Sequence, residues 1–256
     1  MGRRIFTLTV AVVVGLFAVA MTATADDRPM TIEELYVEED EPRVEEDEPG
    51  ITMLRAQALS AQRVHKELAI EMLTRLVEDG RIGPDDSGYI AVLRLLATDG
   101  SSNQVRSGGG RVVYTNPDVR RGAVALLGEI GGPQARDVLR EVLRHEREPM
   151  VLSQAMHAIG KVGLDGRTDI PRDIARVILR ANVQDNPDLN LVFTTLRTLE
   201  NMAAEGTEGL ADSILIENVV QVVSGRYNNI VRNQAISTLN TFADITDPAI
   251  GSLGQR

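Results

Sequence analysis

The chain reads as an all-α protein, an α-solenoid of stacked antiparallel helix pairs, and three observations predict it. First, the pattern Pro117, Val119, Ala123, Leu126, Leu127, Gly128, Ile130, Gly131 returns 32 residues later as Pro149, Val151, Ala155, Ala158, Ile159, Gly160, Val162, Gly163. Second, apolar residues beyond Gly50 recur near the helical period, and no alternating strand pattern competes beyond Asn116. Third, proline and glycine punctuate that stretch at helix-length intervals. A repeat of this size cannot bury its apolar face alone, so neighbours must stack into one continuous core.

The elements follow in chain order. Residues 1–25 have the form of a secretory signal peptide: Arg3 and Arg4, an apolar run from Ile5 to Met21, and a small-x-small site at Ala23-Thr24-Ala25. Cleavage is expected after Ala25, which places the mature chain in the periplasm or outside the cell. Residues 26–50 hold 12 acidic and 2 basic residues, and Val37-Glu38-Glu39-Asp40-Glu41-Pro42 recurs at once as Val44-Glu45-Glu46-Asp47-Glu48-Pro49. Dense like charge and prolines predict a disordered acidic tail.

From Ile51 to Asp79-Gly80 one helix is expected, with Leu54, Ala58, Val64, Leu68, Met72 and Leu76 inward. Pro84-Asp85-Asp86-Ser87 opens a second, carrying Ile90, Leu93 and Leu96, so residues 51–98 form an N-terminal cap pair. Residues 99–115, with Gly108-Gly109-Gly110, read as an inserted flexible loop. No strand precedes the glycines and no Lys-Ser/Thr follows, so a phosphate loop is excluded.

The repeats fill 116–256. Their first helices are expected near 117–130, 149–162, 187–203 and 228–243, with Leu189, Phe193, Leu196 and Leu199 inward in the third. Second helices are expected near 133–145, 170–182 and 208–223, and another begins at Asp247-Pro248-Ala249-Ile250. That gives about nine helices in all.

The string Asn116-Pro117-Asp118-Val119-Arg120-Arg121-Gly122-Ala123, continued by Leu126-Leu127-Gly128-Glu129-Ile130-Gly131, resembles the HEAT repeat, more narrowly the short HEAT-like type of the phycobilisome lyases. The likeness is good over 116–182 and 227–243. It weakens over 186–224, where Thr198 and Glu200 stand in place of the glycine and isoleucine. It implies a binding scaffold, with the second helix of each pair lining a concave face.

Composition limits the chemistry. Beyond residue 50 there are 25 acidic and 23 basic residues, too nearly balanced for nucleic-acid binding by bulk charge. The absence of cysteine excludes disulfides, an N-terminal lipid anchor and a thiol nucleophile. His65, His145 and His157 fall on three different predicted helices. The HEAT-like deoxyhypusine hydroxylases hold iron through several His-Glu pairs. Here His145-Glu146 stands alone and the equivalent position reads Ala181-Asn182, so no metal or cofactor is expected. No Gly-x-Ser-x-Gly elbow is present and no catalytic residue is named.

One pattern remains. Arg136, Arg140 and Arg144 stand at i, i+4 and i+8, and Arg172, Arg176 and Arg180 repeat them 36 residues on. Stacking would align six guanidinium groups as a partner-binding face. The expected function is a non-catalytic protein–protein interaction scaffold of the cell envelope, contacting an acidic protein partner, or the chain's own acidic tail, through those arginines. The alternatives are a structural spacer of an envelope assembly, or an enzyme or lyase-like subunit, for which no residue constellation is found.

Overall fold

Several helices in this chain start at a proline or an aspartate, and three stop at a glycine, Gly131, Gly163 or Gly225. The computed structural model describes residues 49–100, 105–106, 112–113, 116–205, 210 and 212–246. The expected signal peptide, the expected acidic tail up to Glu48 and the segment Asp247–Ile250 lie outside the described residues. The first three helices are α1 (Pro49–Leu59), α2 (Arg63–Glu78) and α3 (Ser87–Ala97). After them, β1 (Val105–Arg106) and β2 (Val112–Val113) pair antiparallel, Val105 with Val113 and Arg106 with Val112. Seven helices follow: α4 (Pro117–Ile130), α5 (Gly132–His145), α6 (Pro149–Val162), α7 (Asp169–Asn182), α8 (Leu189–Ala204), α9 (Ser213–Ser224) and α10 (Asn229–Thr246).

The helices stack in two rows. In one, α2, α4, α6, α8 and α10 pack each on the next; in the other, α1, α3, α5, α7 and α9 do the same. The fold is the α-solenoid that the repeat pattern predicts, with ten helices among the described residues. Its core runs along the seam between the rows, through Leu93, Leu127, Leu139, Ile159, Ile174, Leu196 and Leu215, all fully buried.

The signature residues have separate physical jobs. Gly131 and Gly163 close α4 and α6 at φ 70° and 74°, a region that costs a residue with a Cβ. Gly128 and Gly160 act inside the helices instead. A Cβ on Gly128 would stand 2.8 Å from the Ala158 Cβ, and one on Gly160 would stand 2.7 Å from the Thr198 Cγ2. Those two glycines let α4 approach α6, and α6 approach α8. Thr198, which departs from the repeat signature, fills the space that Gly160 leaves. At the N-termini of α8 and α9, Asp188 accepts from the Leu191 amide at 2.8 Å and Asp212 from the Ile214 amide at 3.0 Å.

Three expectations are corrected. The long helix from Ile51 breaks at Ser60–Gln62, where the chain crosses from one row to the other, so residues 51–98 hold three helices rather than two. That break resets the helical phase. Val64 and Leu68, expected inward, are 61% and 44% exposed, while Ala69 and Leu73 are buried. Leu189, at the first position of α8, is also exposed. The insert at 99–115, expected as a flexible loop, carries the short β1–β2 ladder among its described residues.

One buried ion pair ties the middle of the stack together. The Arg120 Nε donates to the Glu146 Oε2 at 2.7 Å, and neither side chain is exposed to solvent. The Glu146 Oε1 also accepts from the amides of Arg147 and Glu148, at 2.8 and 2.9 Å, where α5 turns into α6. Arg120 donates further to the Asp99 carbonyl at 3.3 Å, and the Asp99 carboxylate pairs with Lys66 at 2.6 Å. This chain of polar contacts links α2, the end of α3, α4 and the α5–α6 junction.

Candidate functional site

Helices α5 and α7 stand side by side in the second row, which brings the predicted arginines together. Their positions differ sharply in exposure and partners. Arg136 is buried: its Nε donates to the Gly163 carbonyl at 2.9 Å and its Nη1 to Asp165 at 3.0 Å. Arg140 is also buried, bonding Asp173 through Nε at 3.2 Å and Asp169 through Nη2 at 2.6 Å. Arg136 clamps α5 to the α6–α7 connection, and Arg140 clamps it to α7 itself. Arg144, Arg172 and Arg176 are exposed at their outer ends. Arg180 lies between these extremes and donates to the Leu143 and Glu146 carbonyls at 2.8 and 3.2 Å, neutralising the C-terminal end of α5.

The electrostatic centre is Asp173, whose side chain is 0% exposed. Arg140, Arg144 and Arg176 all donate to it, at 3.2, 2.9 and 2.7 Å. Sharing one carboxylate among three guanidiniums leaves positive charge uncompensated there. Arg167 extends the network by bridging Asp137 and Asp169, and Arg172 reaches Asp212 at 3.3 Å. Across this face seven arginines meet five aspartates, so two positive charges remain. Hydrogen bonding from Arg167 is the main cause holding the Asp169 carboxyl below the ordinary range, and hydrogen bonding to Asp173 raises the guanidinium pKa of Arg144.

Sequence reasoning missed the cleft beside this network. Between α3 and α5 lies an open groove of about 650 Å³, with Ile90 and Val138 buried at its floor beside exposed Ala91. Arg94 and Glu141 face each other there, Nε to Oε2 at 2.7 Å, and Arg144 and His145 stand at one end. The sequence signal was the apolar stripe Ile90, Leu93 and Leu96 on α3, with Ala91 and Arg94 beside it. A second groove, of about 460 Å³, lies on the other row, where Arg121, Ser153, His157 and Asp188 contribute.

The histidines occupy separate places. His65 bonds Ser60 at 2.8 Å, His145 Nδ1 contacts the Glu141 carbonyl at 3.0 Å, and His157 is exposed. Glu146 is turned inward to Arg120 and does not share a site with His145. Among the described residues, no group of three or more His, Asp or Glu could hold a metal ion. Among them, too, no helix is long and apolar enough to cross a membrane.

With the fold in place, comparison with known families matches residues 114–200 to HEAT repeats. That span covers α4 to α7 and most of α8, which include the two signature repeats and the arginine-bearing helices, and it supports a HEAT repeat protein. No curated protein and no solved structure matches the chain.

Proposed function

We propose that this chain is a non-catalytic protein–protein interaction scaffold of the cell envelope that binds an acidic partner on the α5–α7 face. HEAT repeats commonly mediate protein–protein contact, which supports the scaffold reading. The observation that carries the acidic partner is the crowding of Arg140, Arg144 and Arg176 on the one buried carboxylate of Asp173. Arg144, Arg172 and Arg176, with Arg180 beside them, are the contact residues in this reading. Arg136 and Arg140 hold the frame. A guanidinium fork takes a carboxylate bidentately, so acidic side chains suit it. The repeated acidic segments at 37–42 and 44–49 offer the same chemistry and would compete with a partner in the intact chain.

The test is binding of a labelled poly-glutamate peptide at low salt. Arg144→Gln/Arg176→Gln should weaken it several-fold, with binding measured well below the melting temperature, which also falls because Asp173 Oδ1 loses both of its arginine donors while Arg140 reaches only Oδ2. Raising the salt to physiological strength should weaken the wild type as well, since screening acts over about 8 Å there. Equal affinity in wild type and variant would overturn the reading. The internal pairing of Arg136 and Arg140 favours a second one, a spacer subunit that uses other surfaces.

Export rests on the run Ile5–Met21 followed by Ala23-Thr24-Ala25. N-terminal sequencing of the chain made with its leader in a bacterial host should start at Asp26. Recovery of an intact Met1 would count against it.

A further inference from the structure

We propose that the cleft between α3 and α5 is the seat of an extended acidic segment of the partner, one that carries an aliphatic side chain between carboxylates. The inference rests on the acidic-partner reading above and adds the place and the sequence character of what binds. Three observations converge. The cleft holds about 650 Å³, within the roughly 300–1,000 Å³ usual for a ligand pocket. Its floor is apolar, made by Ile90 and Val138 at 3% and 6% exposure with Ala91 standing open beside them. Its sides carry Arg94 and Arg144, both exposed and both already bonded to a carboxylate of this chain.

The two rows differ here. On the first row Gly128 draws α4 and α6 together. On the second, an open groove lies between α3 and α5, and the Arg94–Glu141 pair spans it at 2.7 Å. Glu141 therefore occupies the place an incoming carboxylate would take on Arg94. An aliphatic side chain laid on Ile90 and Val138 would be removed from water, and the carboxylates on either side of it would meet Arg94 and Arg144. A wholly polar acidic chain gains only the charge contacts.

Three labelled peptides measured by fluorescence anisotropy on the full chain at low salt test this: Glu-Glu-Leu-Glu-Glu, Glu-Glu-Gly-Glu-Glu and Gln-Gln-Leu-Gln-Gln. The first should bind about tenfold or more tighter than either of the others. Ala91→Tyr, at an exposed helical position, should fill the groove and erase the preference for leucine while keeping the preference for charge. Glu141→Gln should tighten the first peptide by removing the internal competitor. Equal binding of the first two peptides overturns the cleft as the seat and leaves the arginine face standing on charge alone. Failure of both acidic peptides to bind sinks the acidic-partner reading itself. Unchanged or weaker binding in Glu141→Gln overturns the role given to that carboxylate.

Discussion

Arg120 shows how a residue can be legible as a pattern and opaque as physics. The sequence places it beside Val119 in the repeat string, but its partner Glu146 lies 26 residues away and was weighed there only as half of a His-Glu metal pair. Burial of both groups without solvent makes the pair costly to break, because the survivor is left charged in a dry interior. Arg120→Met should therefore lose about 3–5 kcal/mol, while Arg120→Met/Glu146→Gln should lose less than the sum of its parts. Urea denaturation decides it, and a loss under about 1 kcal/mol for the single change would contradict the buried-charge argument. Tyr227 makes a second case. Burial pushes its phenol up to about 12, and its hydroxyl donates to Asn182 at 2.7 Å. In the unfolded chain the phenol ionises near its ordinary value of about 10. The Tyr227 contribution to folding stability is thus level up to about pH 10 and falls by at most about 1.4 kcal/mol per pH unit between about 10 and 12. Tyr227→Phe should flatten that fall, measured as urea midpoints from pH 9 to 12.

At the scale of elements, the helices with proline starts and glycine stops were readable, and α4 and α6 fall where the pattern placed them. The first two helices were not, because Ser60-Ala61-Gln62 contains neither proline nor glycine and the apolar period runs across it without a gap. What breaks the helix there is tertiary: α1 packs in the row of α3 while α2 packs in the row of α4, and one straight rod cannot do both. The glycines inside helices carry the sharper prediction. Glycine to alanine in an exposed helix interior normally stabilises by about 1 kcal/mol. At Gly128 the new methyl would meet the Ala158 Cβ at 2.8 Å and its Cα at 3.0 Å, and that backbone belongs to the neighbouring repeat. Gly128→Ala should destabilise instead, by about 1–3 kcal/mol. A raised melting temperature would show that α4 and α6 can separate without loss.

Over the whole molecule, charge and stacking have different legibility. The arginines announced themselves at helical spacing, and Asp137 and Asp173 could be seen among them on the same two helices. Asp165 and Asp212 lie in connections and Asp169 at the first position of α7, and only the stacking brings these three to the arginines. A row read from sequence as six aligned guanidiniums is thus mostly a set of struts between successive helices, and only its exposed outer ends are left for the proposed partner. The same nearest-neighbour construction governs how the protein should unfold. Because α10 packs on α8 and α9, a defect in it is felt first by its neighbours and only weakly several repeats away. Phe242 on α10 is 3% exposed, and Phe242→Ala should remove about 3–5 kcal/mol of local packing. Hydrogen exchange followed by mass spectrometry should then show lost protection in α8, α9 and α10, with α4 and α6 close to wild type. Uniform loss along the chain would mean that the rows unfold as one cooperative block, and the coupling between repeats would have to be far stronger than their separate cores imply.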